Sequence, residues 1–202
     1  MKILIIGASG LVGNNCLRYF KQKDWNCVGT YFSYEAANTV FFDTLNLDNE
    51  NNFNVTQFKP NVIVHCGALT HVDYCEQNEA ESYEKTVVST KNVITLANEL
   101  QAKLVFISTD YVFDGENGPY DEEAIVRPIS VYGKHKLEAE QAVLAANAQN
   151  LVLRITNVYG DEERGKNFVS RIIDQIFEQQ KLTLRLPIDQ YATPINAADI
   201  AR

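Results

Sequence analysis

The stretch that decides the fold lies at the start of the chain and reads Ile3-Leu4-Ile5-Ile6-Gly7-Ala8-Ser9-Gly10-Leu11-Val12-Gly13. Four apolar residues in a row are typical of a strand that is buried on both faces. Residues 14–23 then have the pattern of a helix. A glycine-rich turn between a strand and a helix offers free N–H groups to an anion, so it predicts a binding site for the pyrophosphate of a dinucleotide. The alternative is a tight turn without a ligand.

Short apolar runs alternate with helical patterns along the rest of the chain. The predicted strands are 3–6, 27–30, 40–42, 62–66, 104–108 and 151–155, followed by a weaker candidate at 182–186. The further predicted helices are 78–100, 130–148 and 167–180, and 199–202 resembles the opening of another. This alternation predicts an α/β fold, a doubly wound parallel sheet with helices on both faces. We expect a dinucleotide-binding domain over residues 1–160 and part of a substrate-binding region over 161–202.

Composition excludes several classes of function. With 46% hydrophobic and 22% charged residues the chain is typical of globular proteins. The net charge of -8 offers no basic surface for nucleic acid. No apolar run approaches the roughly 18 residues of a membrane span. The four cysteines lack metal-ligand spacing, so we expect no metal and a reducing, cytoplasmic location.

The end of the second predicted strand bears on which dinucleotide binds. NAD sites usually carry an acidic residue about 20 residues after the glycines, where it bonds the ribose 2′-hydroxyl. Residues 28–33 contain no carboxylate, and Thr30 or Ser33 could donate to a 2′-phosphate, so NADPH is favoured over NADH. Asp43 follows the third strand, where it would either meet the adenine amino group or cap a turn.

A tyrosine and a lysine lie four residues apart in the helix predicted at 130–148, with Ser130 as its N-cap. Tyr132 and Lys136 would share one face of that helix. A neighbouring ammonium favours the phenolate, so Lys136 would lower the pKa of Tyr132 and make it a proton-transfer group. Taken alone, this spacing also arises by chance on solvated helices.

Three sequence motifs together resemble those of a known protein family. They are the Gly-x-x-Gly-x-x-Gly turn, Ser108-Thr109-Asp110 at the end of the fifth strand, and Tyr132-x-x-x-Lys136. With these motifs the chain resembles the extended short-chain dehydrogenases/reductases. The strings at 108–115 and 131–134 look most like the dTDP-4-dehydrorhamnose reductase family, as do 68–76 and 189–194.

The resemblance implies a Rossmann-like enzyme that reduces a keto group on a nucleotide-activated deoxysugar with NADPH or NADH. Thr109 would bond the substrate carbonyl, Tyr132 would donate the proton, and Lys136 would hold the nicotinamide ribose. The implied cofactor-binding residues are Gly7, Ser9, Gly10, Leu11, Val12, Gly13, Thr30, Ser33, Asp43, Gly67, Ala68, Tyr132, Lys136 and Val158. Arg185, Gln190 and Tyr191 would either contact the substrate nucleotide or belong to a turn-rich surface strand. Members of the family often pair through the helices at 78–100 and 130–148, which predicts a homodimer; the alternative is that the apolar stripes of these helices simply face the sheet. Members also continue beyond this length, so we expect a truncated chain.

Departures from the family pattern keep two alternatives open. Thr86 stands where the family usually has an asparagine of a proton relay, and Gly67 stands where alanine is common. A dehydratase is disfavoured because Tyr111 replaces the glutamate that would follow Thr109-Asp110. A sugar-nucleotide epimerase would use the same tyrosine and lysine. A non-catalytic, cofactor-binding regulatory subunit, similar to the methionine adenosyltransferase beta subunit, is the other alternative. The identity of the sugar does not follow from the sequence.

Overall fold

The computed structural model describes residues 1–165, 167–179 and 192–202. Its strands are β1 (Lys2–Ile6), β2 (Asn26–Tyr31), β3 (Thr39–Phe41), β4 (Val62–His65), β5 (Lys103–Thr109), β6 (Leu151–Ile155), β7 (Val158–Tyr159) and β8 (Ile195–Asn196). The helices are α1 (Leu11–Gln22), α2 (Val55–Phe58), α3 (Val72–Gln77), α4 (Glu79–Tyr83), α5 (Ser89–Glu99), α6 (Val131–Ala146), α7 (Phe168–Gln179) and α8 (Ala197–Ile200). The predicted strand 182–186 and the predicted substrate contacts Arg185, Gln190 and Tyr191 lie outside the described residues.

The main sheet confirms the predicted fold class. Its strands are all parallel and lie in the order β3-β2-β1-β4-β5-β6. This is the strand order of a Rossmann fold, in which the direction of winding reverses between β1 and β4. Ligands of such sheets bind outside the carboxyl ends of the strands at that reversal.

Alternation along β1 explains why helices cover both faces of the sheet. Leu4 and Ile6 belong to a core cluster with residues of α2, α5 and α6. Ile3 and Ile5 point to the opposite face, where they pack with residues of α1. Because successive side chains of a strand alternate between faces, a strand without polar positions requires a helical layer on each side.

The structure corrects several predicted boundaries. Helix α1 begins at Leu11 rather than at residue 14, because Gly10 already has the extended backbone of an N-cap. Strand β3 lies one residue earlier than predicted. The single helix predicted over 78–100 is divided by a π-helical turn, Glu84–Val88, between α4 and α5. Hydrophobic spacing cannot reveal such a turn, which widens the backbone by one residue.

The last described residues form a small sheet that the sequence did not predict and the short helix that it did. Strands β7 and β8 pair in parallel as a separate two-stranded sheet. Helix α8 begins at Ala197 rather than Asp199, because the Asn196 carbonyl oxygen Oδ1 accepts the Ala198 N–H at 2.9 Å. Ala201 packs in the cluster beside α1. The division into domains at residue 160 stays a prediction.

No helix within the described ranges is both long and apolar enough to cross a membrane.

Candidate active site

Thr109 ends β5 and opens the candidate site at the carboxyl edge of the sheet. Its hydroxyl oxygen accepts a hydrogen bond from the Tyr111 N–H at 3.2 Å and so caps a 3-10 turn, Asp110–Val112. The same hydroxyl donates to the Asp110 carboxylate at 3.2 Å. Thr109 is buried, so these bonds determine how its hydroxyl is presented.

Helix α6 carries the tyrosine and the lysine, and two contacts fix where it begins. The Ser130 hydroxyl accepts the Gly133 N–H at 3.0 Å, which confirms the predicted N-cap. The Glu76 carboxylate, from α3, accepts the Val131 N–H at 2.6 Å. Together these contacts satisfy two of the unpaired N–H groups of the first helical turn and hold it against α3.

Tyr132 lies in the first turn of α6 with 8% of its surface exposed. Its ring meets the ring of Tyr111 edge to face, with 5.7 Å between centroids. Burial raises the pKa of the phenol well above its ordinary value, and hydrogen bonding by the Thr109 hydroxyl partly opposes that shift. The Asp110 carboxylate raises the pKa of Tyr132 further.

The predicted lowering of the Tyr132 pKa by Lys136 was therefore wrong for this structure. The Lys136 ammonium donates to the Ile107 carbonyl oxygen at 2.6 Å and lies 3.9 Å from the centroid of the Phe106 ring. Desolvation of the phenol exceeds any gain from the neighbouring charge. With its pKa raised, the buried phenol is protonated near neutral pH and is a weaker acid than a free tyrosine.

Lys136 is itself enclosed, with 2% of its surface exposed. Burial lowers the pKa of its ammonium to about 7, and the Glu140 carboxylate partly offsets this effect. Glu140 is 1% exposed and accepts three hydrogen bonds from the Arg154 guanidinium of β6, at 2.9, 3.1 and 3.2 Å. The i, i+4 spacing of Lys136 and Glu140 was a readable signal that sequence reasoning missed. The contact between Glu140 and Arg154 could not be predicted from local sequence spacing, because Arg154 lies in another element.

The glycine turn after β1 touches the turn after β4. Gly7 has a φ of +82°, and a Cβ atom there would lie 2.8 Å from the Gly67 backbone nitrogen. A Cβ atom on Gly13 would lie 2.4 Å from the Gly7 carbonyl oxygen. Both positions therefore require glycine, one for its backbone conformation and both for close packing. Ser9, Leu11 and Val12 are half-buried at this turn, as Ala68 is at the other.

The first turn of α1 is open to an anion. No side chain of the described residues caps this helix, and its first turn carries no acidic residue. The leading N–H groups of a helix need an external partner, and the helix dipole favours a negative one. This arrangement fits the pyrophosphate that the sequence predicted.

The remaining predicted cofactor residues occupy different environments. Thr30 is buried with its hydroxyl lacking a partner among the described residues, whereas Ser33 is exposed. The Asp43 carboxylate accepts the Leu45 N–H at 2.8 Å, so it does cap a turn. Its predicted contact with adenine stays a prediction, as does the contact of the half-buried Val158 with the nicotinamide.

Known proteins share this arrangement of turns and strands. The family described as the RmlD substrate binding domain matches residues 1–202. Methionine adenosyltransferase 2 subunit beta from Bos taurus is 35% identical over 202 residues, which are 99% of this chain and 60% of that protein. The chain thus spans about three-fifths of the length of this curated relative.

Two solved structures of dTDP-4-dehydrorhamnose reductases are similar in fold and sequence. The enzyme from Clostridium acetobutylicum has a TM-score of 0.80 and 37% identity, over 100% of this chain and 68% of that chain. The enzyme from Bacillus anthracis, solved in complex with NADP, has a TM-score of 0.76 and 28% identity, over 88% of this chain and 60% of that chain. The chain therefore belongs to the RmlD substrate-binding-domain family, as its three motifs predicted.

Proposed function

We propose that the protein reduces a keto group on a nucleotide-activated deoxysugar with a nicotinamide dinucleotide. One observation carries the proposal: Thr109 is buried at the carboxyl end of β5, where Tyr132 and Lys136 of α6 are buried beside it, the Tyr132 ring against Tyr111 and the Lys136 side chain on the Ile107 carbonyl oxygen. The similarity to dTDP-4-dehydrorhamnose reductases supports this choice of substrate class.

The residues present fit a dinucleotide. Gly7, Gly10 and Gly13, with Ser9, Leu11 and Val12, would surround its pyrophosphate at the uncapped start of α1. Gly67, Ala68 and Val158 would line the nicotinamide half, and Thr30, Ser33 and Asp43 the adenosine half. When bound, the reduced cofactor supplies a hydride. The absence of a carboxylate in residues 28–33 favours NADPH, and the Bacillus anthracis enzyme was solved with NADP.

The chain's own residues would supply the proton and would position the substrate carbonyl that receives it. Thr109 would donate a hydrogen bond to the carbonyl oxygen of the substrate, and Tyr132 would donate its proton to the alkoxide that forms there. Because burial raises the pKa of Tyr132, the phenol would give up its proton only to a strongly basic group such as this alkoxide. Lys136 would bond the hydroxyls of the nicotinamide ribose.

The test is NADPH consumption by the purified full-length protein with a panel of 4-keto sugar nucleotides. Replacing a general acid typically costs 10²–10⁴-fold, so we expect Tyr132→Phe to lower kcat by about that factor. Tyr83→Phe, which removes a phenol from α4 outside the site, should leave kcat unchanged. Absence of turnover in the wild type would sink the proposal. Conversion of a sugar nucleotide without net NADPH consumption would instead indicate the epimerase alternative.

A second candidate is a cofactor-binding regulatory subunit. The 35% identity to methionine adenosyltransferase 2 subunit beta over nearly the whole chain favours it. Co-purification in a fixed ratio with a methionine adenosyltransferase catalytic subunit, without intrinsic sugar reduction, would establish this function in place of the first.

Light scattering of the protein alone would test the predicted homodimer. Cell fractionation would test the predicted cytoplasmic location.

A further inference from the structure

We propose that Arg164 binds the 2′-phosphate of NADPH and so supplies the positive charge that the end of β2 lacks. This inference rests on the proposed function, because it assigns a further residue to the cofactor site of that reaction. Arg164 belongs to the segment that follows β7, far from β2 in sequence, so only the folded chain brings the two together.

Arg164 lies against the connection between β2 and β3. Its guanidinium carbon is 4.7 Å from the centroid of the Tyr34 ring. Tyr34 directly follows Ser33, and the end of the second strand of a Rossmann fold is where the 2′ position of the adenosine ribose is recognised. An arginine stacked on an aromatic ring keeps its planar set of N–H donors, which suits a phosphate. The guanidinium therefore lies where a 2′-phosphate would need a donor.

Contacts of Asp161 hold the segment that carries Arg164 against α1. The Asp161 carboxylate forms an ion pair with the Arg18 guanidinium at 2.9 Å. The backbone carbonyl oxygen of Asp161 accepts a hydrogen bond from the Asn15 side-chain amide at 3.3 Å. Arg164 follows three residues later, so these contacts bring it to the β2 side of the molecule.

The same segment closes one side of a cavity next to α1. The cavity has a volume of about 360 Å³, and its lining includes Asn14 and Arg18 of α1, Asn38 of the β2–β3 connection and residues 161–163. Asn14 directly follows the Gly7–Gly13 turn, where the pyrophosphate is expected. The adenosine end of a dinucleotide would therefore extend between α1 and the β2–β3 connection, toward Arg164.

The charges around Arg164 leave its guanidinium available to a ligand. Within residues 1–165, 167–179 and 192–202, no carboxylate forms an ion pair with it. Asp161 is paired with Arg18, and the Glu162 carboxylate accepts a hydrogen bond from the Asn167 side-chain amide at 2.8 Å.

Two exposed carboxylates flank the stacked pair in sequence, and they give the competing assignment. Glu35 follows Tyr34, and Glu163 precedes Arg164. Either carboxylate would oppose a phosphate and could instead accept the free 2′-hydroxyl of NADH. Because both are exposed, solvent and salt screen their repulsion. The contact of Arg164 with Tyr34 favours the phosphate.

Binding of the two cofactors to the full-length protein tests this assignment without turnover. By calorimetry we expect Arg164→Met to raise the Kd for NADPH about 10- to 100-fold, the usual effect of losing a charged hydrogen bond, and to leave the Kd for NADH nearly unchanged. Arg171→Met removes an exposed guanidinium from α7 and should change neither value. Glu163→Gln should lower the Kd for NADPH about 2- to 5-fold, because it removes an exposed repulsive charge.

Two fragments isolate the phosphate itself. The wild type should bind adenosine 2′,5′-bisphosphate more tightly than adenosine 5′-phosphate, and Arg164→Met should bind the two alike. Added salt should reduce this difference in the wild type, since the contact is exposed.

The outcomes separate this inference from the proposed function. An unchanged Kd for NADPH in Arg164→Met, equal losses for NADPH and NADH, or tighter binding of NADH by the wild type would overturn the role of Arg164 alone. Failure of the wild type to bind either dinucleotide would remove the cofactor site and the inference with it. The expected effect of Arg164→Met on NADPH binding, without turnover of any keto sugar, would support the inference and remove only the reductase.

Discussion

Tyr132 and Lys136 are enclosed by the protein, and enclosure moves their pKa values in opposite directions. Burial raises the pKa of the phenol and lowers that of the ammonium, because it penalises the charged form of each. Both side chains are therefore driven toward neutrality. The lowered Tyr132 pKa that their spacing predicted does not describe this site.

Lys136 should make the stability of the protein depend on pH in an identifiable window. Its pKa is about 7 in the folded protein and has an ordinary value of 10.5. Between these values the unfolded chain binds the extra proton, so the free energy of unfolding should rise with pH. The rise should approach about 1.4 kcal/mol per pH unit, the free-energy equivalent of one pKa unit.

Urea denaturation at pH 7, 8 and 9 checks this expectation. The Lys136→Met variant should lack the rise, whereas Lys134→Met, which removes an exposed ammonium two residues away, should keep it. Parallel pH dependence in the wild type and Lys136→Met would contradict the assignment.

At the scale of the elements, α6 is held at two points along its length. Ser130 and Glu76 bond the N–H groups of its start, and Glu140 is tied to β6 by Arg154. The lysine lies between these attachments. The contacts therefore fix both the entry and the rotation of the helix that presents Tyr132 and Lys136 to the sheet edge.

The turn between β1 and α1 should tolerate a methyl group at one glycine and not at another. A Cβ atom on Gly13 would lie 2.4 Å from a backbone oxygen, whereas one on Gly10 would lie 3.5 Å from the same atom. We expect Gly13→Ala to lower the free energy of unfolding by about 1–3 kcal/mol, the usual cost of overpacking. Gly10→Ala should cost less than about 1 kcal/mol. Thermal and urea unfolding of both variants gives the comparison, and equal losses would refute this account of the turn.

At the scale of the whole molecule, parallel strands bring distant residues to one edge of the sheet. The turns after β1, β2 and β4 and the start of α6 all lie at the carboxyl ends of the strands. A dinucleotide bound there would contact segments from most of the chain. Because a ligand that binds only the folded state stabilises it, binding should be visible as a shift of the whole unfolding transition.

The preference for NADPH can be tested by that shift. At a concentration about 100-fold above its Kd, NADPH should add roughly 2.7 kcal/mol to the free energy of unfolding. NADH at the same concentration should add less. Ser33→Asp should reverse this order, because a carboxylate repels a 2′-phosphate and accepts the ribose 2′-hydroxyl. Asn117→Asp adds the same charge in an exposed loop and serves as the control. Equal stabilisation of the wild type by the two cofactors would refute the preference.

The alternation of apolar runs and helical patterns was enough to predict the parallel sheet, because strand and helix periodicities are local properties of the chain. The Gly7–Gly13 turn and the Ser130 cap were predictable for the same reason: each depends on residues within one turn of backbone. The π-helical turn at Glu84–Val88 was not, since the spacing of apolar residues is nearly the same with or without it.

The sequence by itself thus determined the class of fold and the family. Only the tertiary structure decided the strand order, the contact between the Gly7 and Gly67 turns, and the pairing of Glu140 with Arg154. It also decided that burial raises the pKa of Tyr132 and that Lys136 bonds the Ile107 carbonyl oxygen. The physical reason is that desolvation and long-range contacts depend on every element packed around a residue, whereas spacing along the chain reports only its neighbours in sequence.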